Sequence, residues 1–90
     1  MPAASTAPVT IYTTQICPYC AMAKRLLVSK SIAFTEIDVS ADRSARAAMV
    51  EKSGGRQTVP QIWIGAHHVG GCDDLYALDN CGKLDALLCA

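Results

Sequence analysis

Ninety residues, 51% of them hydrophobic, leave room for one domain with a modest core. Eight Lys and Arg balance eight Asp and Glu, which argues against a broad basic face for nucleic acid or an anionic membrane and points to small molecules and proteins as partners. No apolar run approaches the roughly 20 residues needed to cross a bilayer, so a soluble chain is expected.

The opening "MPAASTAP" is small, polar and proline-bearing, without the basic region and long apolar core of a secretory signal. Residues 1–8 therefore read as a disordered tail and 9–90 as the single domain. "VTIYT", Val9 to Thr13, is β-branched and aromatic and predicts a first strand. A helix follows from Pro18 to about Lys30, since proline is well tolerated at a first helical position, where its missing N–H would have been unpaired. Cys17 then falls near the N-cap.

In "AFTEIDVS", Ala33 to Ser40, Ile37 and Val39 alternate with Glu36 and Asp38, the period of a strand with one polar face. Ser40 is the expected cap of a second helix, with Asp42 at its positive end and Ala45, Ala48 and Met49 as its apolar stripe. Gly54 and Gly55 end it. "QIWIGAHHV", Gln61 to Val69, reads as two short strands joined by a type II′ turn at Gly65-Ala66. Short helices are expected over Cys72 to Leu78 and Gly82 to Leu88.

The order β-α-β-α-β-β-α-α, with a parallel opening unit and an antiparallel hairpin, predicts an α/β fold: a mixed four-stranded sheet with helices on both faces, in the thioredoxin-like arrangement. A Cys-x-x-Cys pair beside such a unit is a redox motif. Five cysteines (Cys17, Cys20, Cys72, Cys81 and Cys89) are odd in number and unevenly spaced, unlike a secreted disulfide framework. A reducing, cytoplasmic setting is expected.

The two cysteines of "CPYC" have unequal expected environments. Cys17 meets the unpaired N–H groups and positive end of the helix, which stabilise a thiolate, and thiols in such motifs titrate at about 3.5–7.5 against about 8.5 for a free cysteine. Cys17 is thus the expected nucleophile. Cys20 shares the i, i+3, i+7 stripe with Ala23 and Leu27, so it is expected to be buried, protonated and the resolving thiol. Tyr19 offers an aromatic ring to whatever approaches the exposed sulfur; otherwise it is a plain surface aromatic.

Two more stretches point to the same end of the sheet. In "RQTVPQI", Pro60 opens a strand, and a cis bond before it would turn the Val59 N–H and C=O outward for an added extended peptide; an ordinary trans proline is the alternative. In "VGGCDDL", two glycines precede a helix N-terminus, so the Cys72 and Asp73 N–H groups can take a carboxylate and Asp74 an ammonium group. The blander reading is a strand end followed by a helix start. A tripeptide thiol with a free α-carboxylate and α-ammonium at one end, an extended middle and a sulfur within reach of Cys17 would use all three features. Glutathione is such a molecule.

"CPYC", "TVP" and "GGCDDL", in this order, resemble a dithiol glutaredoxin, over about Val9 to Leu88. The resemblance implies a thioredoxin fold, Cys17 as the glutathionylated nucleophile, Cys20 as second redox thiol and a cis peptide before Pro60. It also implies that the Thr58-Val59-Pro60 segment pairs with the cysteinyl part of glutathione, and that Gly71, Cys72, Asp73 and Asp74 hold the γ-glutamyl end. Many glutaredoxins carry a lysine three residues before the nucleophile, where this chain has Thr14. Either Arg56 and Gln57 take over its contact with the glycine carboxylate, or glutathione is held more weakly.

The implied activity is glutathione-dependent reduction of protein–glutathione mixed disulfides and of protein disulfides, by a monomer with glutathione as co-substrate and no tightly bound cofactor. The alternative is an iron–sulfur cluster bridged between two chains, which the second cysteine and the Pro18-Tyr19 pair disfavour. A zinc site is weaker still, because Cys72, Cys81 and Cys89 lack close pairing. His67 and His68 are expected on opposite faces of a strand as surface residues of the hairpin. Cys72 is expected to be semi-buried beside the ligand, Cys81 to be packing or surface, Cys89 to be exposed, and Trp63 and Phe34 to be core.

Overall fold

The structure, a computed structural model, describes residues 7–88. Strands β1 (Val9–Thr13), β2 (Thr35–Asp38), β3 (Gln61–Ile64) and β4 (His67–Gly70) alternate with helices α1 (Pro18–Ser29) and α2 (Arg43–Lys52), and α3 (Cys72–Asn80) and α4 (Lys83–Leu88) follow. The sheet order is β2-β1-β3-β4. β1 runs parallel to β2 and antiparallel to β3, and β3 is antiparallel to β4. The mixed sheet of the expected fold is present.

Alternation along the strands divides the interior into two layers. Val9 and Ile11 of β1 and Ile62 and Ile64 of β3 pack with Ala23 and Leu27 of α1, Leu75 of α3, and Leu84 and Leu88 of α4. Tyr12 and Trp63 point the other way and pack with Val39 and with Met49 of α2. Among the described residues no helix is long and apolar enough to cross a membrane.

Several local expectations are corrected. The cap of α2 is Asp42, whose carboxylate accepts the Ala45 N–H at 3.0 Å. Ser40 has a tertiary partner instead: its hydroxyl accepts the Gln15 N–H at 2.8 Å. Ala48 faces solvent, and Ala45 and Val50 flank Met49 against the sheet. Of the expected tail, Ala7 and Pro8 are held, the Ala7 N–H by the Leu88 carbonyl and the Pro8 carbonyl by the Gly65 N–H, each at 2.7 Å; residues 1–6 lie outside the described residues, as does Cys89. At the hairpin, Gly65 takes a positive φ of 58° as the first central residue of a II′ turn requires.

Candidate active site

Cys17 ends the loop after β1 and is the N-cap of α1, with extended backbone (φ −148°, ψ 102°). Its sulfur accepts the Cys20 N–H at 3.1 Å, doing what a serine or aspartate does at other helix starts. Pro18 at the first helical position leaves that N–H as one of the nearest donors. The sulfur also lies 3.9 Å from the Val59 carbonyl oxygen, toward which a thiol would donate. Cys17 is half-buried, while its neighbours Ile16 and Tyr19 are 95% and 59% exposed and form an apolar rim beside it.

Cys20, one turn further, is buried with Ala23 and Leu27 against the sheet. Burial, reinforced by its interaction with Cys17, pushes its thiol up to about 12. The Thr14 backbone acts in the opposite direction. The pair is therefore one accessible sulfur held by a helix N–H and one buried thiol kept protonated at neutral pH.

Beside Cys17 lies an open cleft of about 360 Å³ lined by Tyr19, Arg56, Thr58, Val59, Pro60, Gly71, Cys72, Asp73 and Asp74. Each of these lining residues was anticipated from the sequence. The Val59–Pro60 peptide is cis. At the far wall, the Gly71 N–H donates to Asp74 Oδ2 at 2.9 Å, and Gly71 supplies no side-chain cap to α3. Gly70 has a φ of 115°, and a Cβ there would overlap the Asp74 carboxylate. One on Gly71 would make only ordinary contact with the Pro60 carbonyl oxygen at 3.4 Å, so it is Gly70 that lets Asp74 and Arg56 come together here.

The remaining expected site residues separate. Arg56 lines the cleft with its Nη1 3.7 Å from Asp74 Oδ2. Gln57 does not line it; with Arg43, Arg46, Ala47, Val50 and Glu51 it borders a different groove, and its carbonyl accepts Arg46 Nη2 at 2.7 Å. Thr14 is not among the residues that line the cleft. Cys72 is buried, and its thiol is pushed up by that burial and by the negative charge of Asp73. Cys81 is exposed.

Only His67 is the surface residue expected of both histidines. His68 is half-buried, stacked on Trp63 with centroids 4.5 Å apart, and bonded through Nε2 to Gln61 Oε1 at 2.7 Å. Gln61 is fully buried and donates to the Thr58 carbonyl at 3.0 Å. The sequence carried a signal for this: a glutamine directly after Pro60, heading the otherwise apolar "QIWI".

The glutaredoxin family model matches residues 9–69. The chain belongs to the glutaredoxin family. A glutaredoxin of Pseudomonas aeruginosa is 58% identical over 83 residues, covering 92% of this chain and 98% of the relative. The solution structure of glutaredoxin from Brucella melitensis is 61% identical with a TM-score of 0.82, covering 93% of this chain and 90% of that one. The crystal structure of a buckwheat glutaredoxin–glutathione complex is 27% identical with a TM-score of 0.82, covering 96% and 80%. This glutaredoxin is accordingly a thiol–disulfide oxidoreductase. Among its described residues no three His, Cys, Asp or Glu side chains cluster as metal ligands would.

Proposed function

We propose that this glutaredoxin uses glutathione as co-substrate to reduce protein–glutathione mixed disulfides and protein disulfides, with Cys17 as nucleophile and Cys20 as resolving thiol. The observation that carries this reading is the asymmetry of the pair: the Cys17 sulfur is half-buried beside the carbonyl of Val59 in the cleft wall and accepts a helix N–H, whereas Cys20 is buried and holds its proton. In the monothiol cycle the Cys17 thiolate attacks the glutathionyl sulfur. The substrate's S–S bond breaks, the protein thiolate leaves and takes a proton from water, and a Cys17–glutathione disulfide remains. A second glutathione thiolate then attacks the glutathionyl sulfur, which releases oxidised glutathione and restores Cys17.

With a protein disulfide, Cys17 forms a mixed disulfide and Cys20 displaces the substrate. The Cys17–Cys20 bridge so formed is reduced by two glutathione molecules. The cleft supports glutathione at three points: the backbone of Val59 beside the cysteinyl sulfur, the start of α3 with Asp74 at the γ-glutamyl end, and Arg56 as a cation for a carboxylate. Arg56, 3.7 Å from Asp74, is a cation of the cleft available to a glutathione carboxylate in place of the family's usual lysine, whereas Gln57 borders the neighbouring groove. The odd cysteine count fits a reducing, cytoplasmic setting, where the protein works as a monomer.

The test is steady-state reduction of a glutathionylated peptide, with glutathione recycling, by wild type, Cys17→Ser and Cys20→Ser. Activity is expected to vanish in Cys17→Ser and to persist in Cys20→Ser, which fails only on protein disulfides. An inactive wild type, or a Cys17→Ser variant that still turns over, would refute the proposal.

A further inference from the structure

The segment that forms the near wall of the cleft is held to the rest of the molecule residue by residue. The Ser53 hydroxyl bonds both the N–H and the carbonyl of Arg56 at 3.1 Å, and Arg46 Nη2 donates to the Gln57 carbonyl at 2.7 Å. Both of those contacts are exposed. The third hold is different. Gln61 is fully buried, and its Nε2 donates to the Thr58 carbonyl at 3.0 Å and reaches the Thr58 hydroxyl at 3.3 Å.

The chemistry of that amide fixes the next link. A carbonyl only accepts, so the Gln61 NH₂ group must face Thr58, and Oε1 must face His68. His68 Nε2 is then the donor across 2.7 Å. The imidazole has little freedom to turn away, because it is stacked on Trp63 at an interplanar angle of 23°, and Trp63 is itself packed edge-on against Tyr12 at 5.3 Å. A chain of directional contacts thus runs from the aromatic layer under α2, through one buried amide, to the residue before Val59.

We propose that Gln61 and His68 are positioning residues for the exchange reaction: together they hold the Thr58 carbonyl so that the Val59 backbone presents itself to the glutathionyl group at the Cys17 sulfur. The inference rests on the reading that glutathione pairs with Val59. It assigns no contact with substrate to either side chain. Because the Gln61 end of this hold is fully buried, water replaces it less readily than it replaces Ser53 or Arg46, and its loss is felt as misplacement of the segment.

The experiment compares wild type with His68→Phe, His68→Gln, Gln61→Leu and the His68→Phe/Gln61→Leu double variant. KM and kcat are measured for a glutathionylated peptide, along with the rate of Cys17 alkylation by iodoacetamide, a small reagent that needs no strand pairing. His68→Phe keeps the stack on Trp63 and deletes the donor. Its KM is expected to rise about three- to tenfold, with kcat and the alkylation rate within about twofold of wild type. His68→Gln, which restores a side-chain N–H, is expected to recover most of the KM. The double variant is expected to be no worse than Gln61→Leu alone, since both break one chain.

An unchanged KM in a folded His68→Phe variant, or strictly additive effects in the double variant, would overturn the inference. Should Gln61→Leu fail to fold, the His68→Phe and His68→Gln pair still decides it. A wild type that does not turn over the glutathionylated peptide at all would remove the functional reading, and the positioning role with it. A wild type that does, alongside unaffected variants, would remove the positioning role alone.

Discussion

The two faces of the sheet are built from different chemistry. Toward α1, α3 and α4 the central strands present Val9, Ile11, Ile62 and Ile64, and the helices answer with Ala23, Leu27, Leu75, Leu84 and Leu88. Toward α2 they present Tyr12, Trp63 and the buried amide of Gln61, with His68 and Lys52 stacked over the rings. Dispersion and burial on the aliphatic side depend on volume and little on direction. Hydrogen bonds and ring stacking on the other side depend on angle. The first face stabilises the domain and shields Cys20; the second connects to the backbone that lines the cleft.

The largest effect is therefore expected on the aliphatic face and is one of stability alone. Leu27→Ala empties a fully buried position and should cost about 2–5 kcal/mol. Leu27→Met, which nearly conserves volume, should cost less than about 1.5 kcal/mol. Urea denaturation measures both. KM for the glutathionylated peptide should stay at the wild-type value in the folded fraction of either variant; a raised KM would erase the division of labour between the faces.

Much of this was legible in the residues. Strand and helix periods, Pro18 at a helix start and the "TVP" and "GGCDDL" stretches pointed to residues that line one cleft in the structure, because each is a local signal that its own backbone must obey. The misreadings arose where tertiary partners decide. Ser40 and Asp42 are both good caps two residues apart, and Ser40 is taken up by the Gln15 N–H, 25 positions away. Ala48 adjoins Met49 in sequence but lies about 100° around the helix, and a short helix on one sheet face buries only a narrow stripe. His68 was readable in principle. A two-residue turn at Gly65-Ala66 pairs Trp63 with His68, and Gln61 is then a diagonal neighbour on the same face.

The next effect falls on the cleft itself. Gly70→Ala puts a side chain where φ is 115° and where its Cβ would overlap the Asp74 carboxylate and stand 3.1 Å from Arg56 Nη1. Both obstructing groups are exposed side-chain ends, so the domain should fold with a loss of about 1–2 kcal/mol. Displacing them should raise KM for glutathionylated peptide about tenfold. Gly54→Ala is the control: its φ is 75° but nothing lies within 4 Å, so it should lose stability without changing KM. Equal KM in the two variants would mean that Asp74 and Arg56 do not serve the ligand.

Cys20 provides a pH-dependent comparison, since it belongs to the aliphatic face and to the chemistry at once. Its folded value, about 12, lies above that of an unfolded cysteine. The folded state thus binds the proton more tightly, and the resulting stability is fully present below the unfolded value of about 8.5 and is lost as pH rises toward about 12. Under reducing conditions the urea midpoint of wild type should decline between pH 9 and 11 more steeply than that of Cys20→Ala. Parallel declines would place the alkaline sensitivity elsewhere.

The smallest expected effect probes how far the directional face extends. Lys52 Nζ lies 4.6 Å from the Trp63 ring centroid and 5.4 Å from that of Tyr12, at the solvent edge of the aromatic layer. Lys52→Met retains an apolar stem over the rings and removes the charge, so the cost should be about 0.5–1 kcal/mol. Trp63 is the sole tryptophan, and its fluorescence follows both unfolding and any local change at the ring. KM should not move, because the rings remain packed and His68 keeps both its stack and its bond to Gln61. A KM that rose with Lys52→Met would extend the positioning chain to α2. An unchanged KM, set beside a raised one in His68→Phe, would confine it to the hydrogen bonds that end at Thr58.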